Sequence, residues 1–232
     1  MNLKIVLLSA AAALAMSSVH ADAGTHHKRN WTGFHAGVIG GKAWGTSNIH
    51  ADIAGMPEDG AADLQGSMLG GVVGYDHQMD NSVVLGILGD FSLSDVHGWA
   101  CVHQAADLSC GTAPDTIANV NLDWLATARG RIGIANDDAM IYATGGLAIA
   151  GIDVSINHAA TPAFIGSDSH TQFGWTIGAG IQYRISDPVT VGLEYLYVDL
   201  GKSAYNFSSS PSATGDVSTH ISIVRATLEW RF

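Results

Sequence analysis

Past its first twenty or so residues, the sequence lacks any continuous apolar run of the roughly 20 residues that a helix needs to cross a bilayer. Charge is scarce as well, at 13% of residues, and positive charge scarcest: ten Lys plus Arg face 21 Asp plus Glu, a formal net charge of −11. That balance disfavours a polyanionic partner and makes nucleic acid an unexpected ligand. Cysteine is nearly absent, with only Cys101 and Cys110. Glycine is in excess instead: 28 glycines are about 12% of the chain, against an average of about 7%.

The apolar run that does occur lies at the start. Lys4 precedes an apolar stretch from Ile5 to Met16, and small residues follow through Val19-His20-Ala21. A charged start, a core of about 12 apolar residues and a small-x-small exit predict a secretory signal peptide over 1–21, cleaved after Ala21 or after Ala23. Residues 22–30 then form a short periplasmic segment before a domain over 31–232. Cleavage would remove Lys4 and move the formal charge from −11 to −12.

The other end carries the clearest pattern. Val224, Ala226, Leu228, Trp230 and Phe232 alternate with Arg225, Thr227, Glu229 and Arg231. Period-two alternation marks a strand whose faces meet different media. Ending on Trp-Arg-Phe, it predicts an apolar face toward lipid and a charged face toward a lumen. Three short polar breaks, Met79-Asp80-Asn81, Asn136-Asp137-Asp138 and Ser186-Asp187-Pro188, are tight-turn candidates. Four longer polar or glycine-rich stretches, near 45–63, 96–117, 153–170 and 201–218, alternate with them. Seven connections join eight strands, predicted near 31–44, 65–78, 82–95, 118–135, 139–152, 171–185, 189–200 and 219–232. Short turns are periplasmic and long loops external in such barrels, so both ends of the domain fall in the periplasm. The expectation is an all-β, eight-stranded antiparallel up-and-down transmembrane β-barrel.

Parity assigns the faces. Val83, Leu85, Ile87, Phe91 and Leu93 point one way, with Asp90 and Ser92 opposite. Even positions from Trp124 to Ile134 face lipid, putting Asp123, Thr127, Arg129 and Arg131 inside. Thr176, Gln182, Arg184, Glu194, Arg225, Glu229 and Arg231 join them. Phe34, Tyr75, Tyr183, Trp230 and Phe232 fall near one set of strand ends; Trp44, Trp124, Trp175 and Tyr197 fall near the other. Two such aromatic belts suit the two membrane interfaces.

The run Leu122-Asp-Trp-Leu-Ala-Thr-Ala-Arg-Gly-Arg-Ile-Gly resembles the small outer-membrane β-barrel family, also called porin-family or OmpA-like barrel proteins. So do Tyr142-Ala-Thr-Gly-Gly-Leu-Ala, Phe173-Gly-Trp-Thr-Ile-Gly-Ala-Gly, Glu194-Tyr-Leu-Tyr-Val-Asp-Leu-Gly and the Trp31-Thr-Gly-Phe start. The resemblance covers 31–232 outside the long loops. It implies an eight-stranded barrel of the cell outer membrane with structural and surface-interaction roles; some relatives are described as hemin-binding. It also suggests that Phe232 is an assembly signal read by the barrel-assembly machinery. Outer-membrane lipids and lipopolysaccharide are implied as partners by class, with the protein a monomer or weak oligomer. Two inward positions depart from the family pattern: Leu88 stands where an acidic residue is common, and Gln182 where a Glu is frequent.

Four candidate sites follow. The interior of an eight-stranded barrel is just wide enough for side chains. Asp90, Asp123, Arg129, Arg131, Arg184, Glu194, Arg225, Glu229 and Arg231 are therefore expected to pair into a lumen plug, since an unpaired buried ion is expensive. A small-ion path through exchanging pairs is the alternative. Cys101 and Cys110 meet an oxidising compartment after export, which predicts a disulfide closing a small loop; with His97 and His103 they also make an irregular set of possible zinc ligands. His50, His97, His103, His158 and His170 lie in or beside predicted outer loops, where imidazoles ligate hemin iron or divalent metals. Finally, His220 and Ser222 have the His-x-Ser spacing used on the lipid face of some lipid A-modifying barrels, but no adjacent carboxylate is marked in their own strand. The reading favoured is a non-enzymatic structural and surface-interaction barrel without a cofactor. Hemin or metal binding, ion conduction and lipid A chemistry rank behind it in that order.

Overall fold

In a computed structural model describing residues 30–53, 56–102, 116–158, 164–206 and 213–232, the alternating segments fold as eight strands. They are β1 (Gly33–Ile53), β2 (Met56–Gln78), β3 (Val83–Val102), β4 (Thr116–Ala135), β5 (Ala139–His158), β6 (Phe164–Arg184), β7 (Val189–Asn206) and β8 (Ala213–Arg231). Each pairs antiparallel with the next, and β8 closes on β1 through pairs such as Trp230 with Ala36 and Val224 with Lys42. Closure satisfies the backbone hydrogen bonds of every strand, the condition for exposing a sheet to hydrocarbon. The expected signal peptide and residues 22–29 lie outside the described residues.

The three short breaks are tight turns at one end of the barrel. Met79 N donates to Val83 O at 2.8 Å, Asn136 N to Ala139 O at 2.9 Å and Ile185 N to Val189 O at 2.9 Å. Asn136 Oδ1 also accepts from Asp138 N and Ala139 N, at 3.1 and 2.7 Å. A short polar side chain thereby replaces the strand ladder at the reversal.

At the other end the structure departs from expectation. Much of the sequence expected to loop continues as strand, so the strands run 18 to 23 residues, while a membrane crossing takes about 9–11. The reason is an inversion of polarity along each strand. Near the turns, outward residues such as Ile87, Ile132, Ile141, Ile181 and Leu228 are apolar and exposed. Farther along, outward positions become Asp63, Asp95, Asn121, Asp153 and Ser218, and inward ones become Leu64, Val96, Val120, Ile152, Leu200 and Val217, all buried. The period stays at two while the apolar set changes face. A strand emerging from the membrane needs a wet outside, and its inside then supplies the apolar core.

Candidate functional site

The barrel interior is built in layers. At the turn end, Trp31 enters the mouth and is fully buried against Val84, Ala135, Met140 and Tyr142. Its backbone N donates to Gln78 Oε1 at 2.8 Å and its indole Nε1 to Asn136 O at 2.8 Å. The guanidinium groups of Arg184 and Arg231 lie over the ring at 4.7 and 4.8 Å from its centroid. Aromatic faces attract cations, more so when desolvated. Arg231 Nη1 also donates to Trp31 O at 2.9 Å, and Arg184 Nη2 to Asn30 O at 3.1 Å.

Next comes a cluster on Asp76, which accepts from both Arg131 and Arg231. His35 bridges this cluster to a second carboxylate, with Nε2 3.6 Å from Asp76 Oδ2 and Nδ1 2.7 Å from Glu229 Oε2. Gln182 Nε2 donates to Glu229 Oε1 at 2.7 Å.

A closed ring of four charges follows. Arg129 donates to Asp90 Oδ2 at 2.7 Å and to Glu194 Oε1 at 2.9 Å. Arg225 donates to Asp90 Oδ1 at 2.9 Å and to Glu194 Oε2 at 2.7 Å. Two cations and two anions, one each from β3, β4, β7 and β8, balance to zero. Thr127 Oγ1 donates to Asp90 Oδ2 at 2.6 Å and the Tyr142 hydroxyl to Glu194 Oε1 at 3.1 Å. Tyr142 reaches this far because its strand neighbour on β6 is Gly180, where a Cβ would stand 2.5 Å from the Tyr142 oxygen. Beyond the ring the interior is mostly apolar, with Leu64, Leu122, Leu125, Ile152, Leu196, Leu200, Ile221 and Ile223 in one continuous core beside the hydrogen-bonded hydroxyls of Ser47 and Thr219 and the buried Gln172.

The structure thus turns Asp90, Arg129, Arg131, Arg184, Glu194, Arg225, Glu229 and Arg231 inward or into the mouth. Asp123 is a correction: it is exposed. Pairing between β4 and β5 passes from Leu122–Ile152 directly to Trp124–Gly151, so Asp123 is the extra residue of a bulge. A bulge shifts parity by one, and both Leu122 and Leu125 face inside. Gly151 makes room for the displaced Trp124, whose Nε1 would lie 2.2 Å from a Cβ there. The two departures from the family pattern, Leu88 and Gln182, are both inward and buried, Leu88 against Ile39 and Val72.

Asp76, His35, Tyr142 and Trp31 were missed as site residues. Gly70, Gly71 and Gly74 interrupt the pattern of β2, yet Leu64, Met68, Val72 and Asp76 share one parity that would have exposed the carboxylate.

The remaining candidates lie outside the interior. His50 (β1) and His97 (β3) are exposed, His170 is half-buried on β6, and His158 ends β5. His97 Nδ1 lies 3.1 Å from Asp95 O. Among the described residues no group of three or more His, Cys, Asp or Glu side chains is placed to hold a metal ion. His103 and Cys110 lie outside the described residues; Cys101 is near the end of β3, its backbone opposite Ile117. His220 and Ser222 both face outward on β8. Asp199, on β7, supplies the carboxylate that their own strand lacks, 3.6 Å from His220 Nδ1. Ser222, however, hydrogen-bonds the Tyr195 hydroxyl at 3.0 Å rather than His220. The orienting half of a nucleophile–base–acid relay is present, and the half that would activate the serine is not. Phe232 is exposed beside Phe34, whose carbonyl accepts from Phe232 N at 2.9 Å.

Residues 9–232 match the family model described as outer membrane protein beta-barrel domain. A 31 kDa outer-membrane immunogenic protein of Brucella melitensis is 35% identical over 219 residues, covering 85% of this chain and 87% of that protein. A 22 kDa outer membrane protein of Rhizobium leguminosarum is 33% identical over 92 residues, 40% of each chain. The solved barrels of OprG from Pseudomonas aeruginosa and the protease OmpT from Escherichia coli align with TM-scores of 0.53 and 0.54. Both are 9% identical to this chain; the alignments cover 88% and 86% of it, and 99% and 97% of the solved chains, and they bear on fold alone. With its closed eight-stranded sheet, lipid-facing apolar band and near-complete family match, the chain belongs to the outer-membrane β-barrel family and is a protein of the cell outer membrane.

Proposed function

We propose that the protein is a sealed, non-enzymatic barrel whose role is structural: it anchors in the outer membrane and holds the outer ends of its strands, with their connecting segments, beyond the lipid. One observation carries the reading. The neutral ring of Asp90, Arg129, Glu194 and Arg225 is shut between an apolar core on one side and Trp31 with its two arginines on the other. An ion entering the lumen would have to strip its water, displace a charge-balanced ring and then cross aliphatic side chains. Each of these steps is expensive in a low-dielectric interior. Solute-conducting barrels with open lumens have about 16 strands.

Planar-bilayer recording of the refolded barrel tests this. The expected trace is closed, with at most brief small openings. A steady, large and weakly selective conductance from monomers refutes the sealed lumen and favours an ion path.

A further inference from the structure

Positive charge is distributed over this barrel in an uneven way. Among the described residues, Arg129, Arg131, Arg184, Arg225 and Arg231 turn into the lumen or its mouth; Lys42 and Lys202 are the two basic side chains on the outer wall, both exposed. Both flank β8. Lys42 on β1 is paired with Val224, and Lys202 on β7 with Ser218. Paired residues point to the same face of a sheet, so the two lysines bracket the outward row Val224, Ser222, His220, Ser218. Elsewhere on the wall, outward positions past the apolar band on β2 to β5 carry Asp63, Asp95, Asp123 and Asp153. Cations are confined to one sector.

That sector sits where the wall changes from greasy to wet. Val224 is the last outward apolar residue of β8 and Ser222 the first polar one. Around this boundary lie four aromatic rings. Trp44 is paired with Ser222 across β1–β8 and Tyr197 with Ser222 across β7–β8. Trp175 packs on Tyr197 with centroids 5.7 Å apart, and Tyr197 stacks on His220 at 6.3 Å and 13°. The Tyr195 hydroxyl holds Ser222, the Tyr197 hydroxyl is 3.3 Å from His220 Nδ1, and Asp199 orients the same ring. Asp199 is partly engaged by its own bulge, accepting from Gly201 N at 2.8 Å. Toward the membrane, Gly40 is paired with Ala226 two positions from Lys42, so two small residues stand side by side on the lipid-facing wall.

We propose that this face, centred on Trp44, Ser222 and His220 and bracketed by Lys42 and Lys202, binds the phosphorylated sugar headgroup of an outer-leaflet glycolipid. The lysines attract phosphate. The half-exposed rings of Trp44 and Trp175 offer apolar faces to the C–H surface of a sugar. Ser222 and the tyrosine hydroxyls meet its hydroxyl groups, and an acyl chain lies over the small residues Gly40 and Ala226. The inference rests on the outer-membrane orientation given above, with the turns periplasmic, and not on the lumen being sealed.

The test uses the full refolded chain in phosphatidylcholine nanodiscs, with a bisphosphorylated diglucosamine lipid (lipid A) as probe and bound lipid per barrel counted by native mass spectrometry. Each lysine adds attraction for the anionic headgroup, so Lys42→Ala with Lys202→Ala is expected to weaken retention by tenfold or more. Trp44→Ala should cost several-fold, and Asp123→Asn with Asp153→Asn, on β4 and β5 across the barrel from β8, should leave retention unchanged. All variants should keep the wild-type heat-modifiable mobility in gels, which separates loss of binding from loss of fold. Retention unaffected by removing both lysines overturns the site. Equal retention of phosphatidylglycerol overturns the assignment to a sugar headgroup. A barrel that conducts yet still retains lipid A sinks the sealed-lumen reading while leaving this site standing.

Discussion

Replacing Asp90 with asparagine keeps the shape of the side chain and removes one of the four charges of the ring. Asp90 accepts from Thr127 at 2.6 Å, from Arg129 at 2.7 Å and from Arg225 at 2.9 and 3.1 Å. After the change, two buried guanidinium groups share Glu194 alone, and an amide N–H₂ faces one of them. Removing one partner of a buried ion pair typically costs about 3–5 kcal/mol, because the stranded charge stays desolvated. At about 1.4 kcal/mol per decade, the folded-to-unfolded ratio falls by two to three and a half powers of ten. With a urea dependence of roughly 2 kcal/mol per molar, the unfolding midpoint should drop by about 2 M. The assay is urea unfolding of the barrel from lipid vesicles, followed by tryptophan fluorescence. A second variant separates charge imbalance from packing: Asp90→Leu with Arg225→Met leaves the neutral Arg129–Glu194 pair and fills the space with apolar groups. It should recover most of the loss, since buried pairs replaced as a unit are often neutral. A midpoint for Asp90→Asn within about 0.5 M of wild type, or a double variant no better than the single one, would refute the reasoning.

Three other outcomes are expected. Leu200→Ala, in the apolar interior beyond the ring, should cost about 2–5 kcal/mol in the same assay; a neutral result would mean that the outer half of the barrel behaves as loop. Leu193→Lys, on the lipid face of β7 midway between the levels of Trp230 and Ser222, should cost about 2–4 kcal/mol, whereas Asp123→Ala, exposed on the β4 bulge, should stay within about 0.5 kcal/mol. Deleting Phe232 should slow membrane assembly in cells, measured by pulse-chase appearance of the heat-modifiable form, and an unchanged rate would remove its proposed role as an assembly signal.

Which face a residue occupies was largely legible in the membrane-spanning half, because period-two alternation records it directly. Asp90, Arg129, Glu194 and Arg225 all stand at inward parity. Their pairing was not legible: the ring joins β3, β4, β7 and β8, and which residues meet across the lumen depends on barrel closure and stagger. Asp123 shows a different limit. Leu122, Trp124 and Leu125 are all apolar, so the sequence carries no mark of the one-residue bulge that reverses parity there. Much of the outer half was read as loop because its outward positions are polar; the inward, buried Ala62, Val96, Val154 and Val217 were the overlooked signal. Asp199 beside His220 was also invisible, since the two are 21 positions apart and meet only through β7–β8 pairing.

What the amino-acid sequence determined by itself is the medium each face meets. The alternation of apolar and charged residues, the aromatic belts and the short polar turns together demand a closed eight-stranded sheet with lipid around one section of it, because only closure satisfies the backbone there. Tertiary structure decided what fills and decorates that sheet. Stagger brought four charges into one neutral ring, carried Trp31 between two arginines, and set two lysines on either side of β8. These are relations between distant strands, and local periodicity holds no information about which turn of the barrel brings two of them face to face.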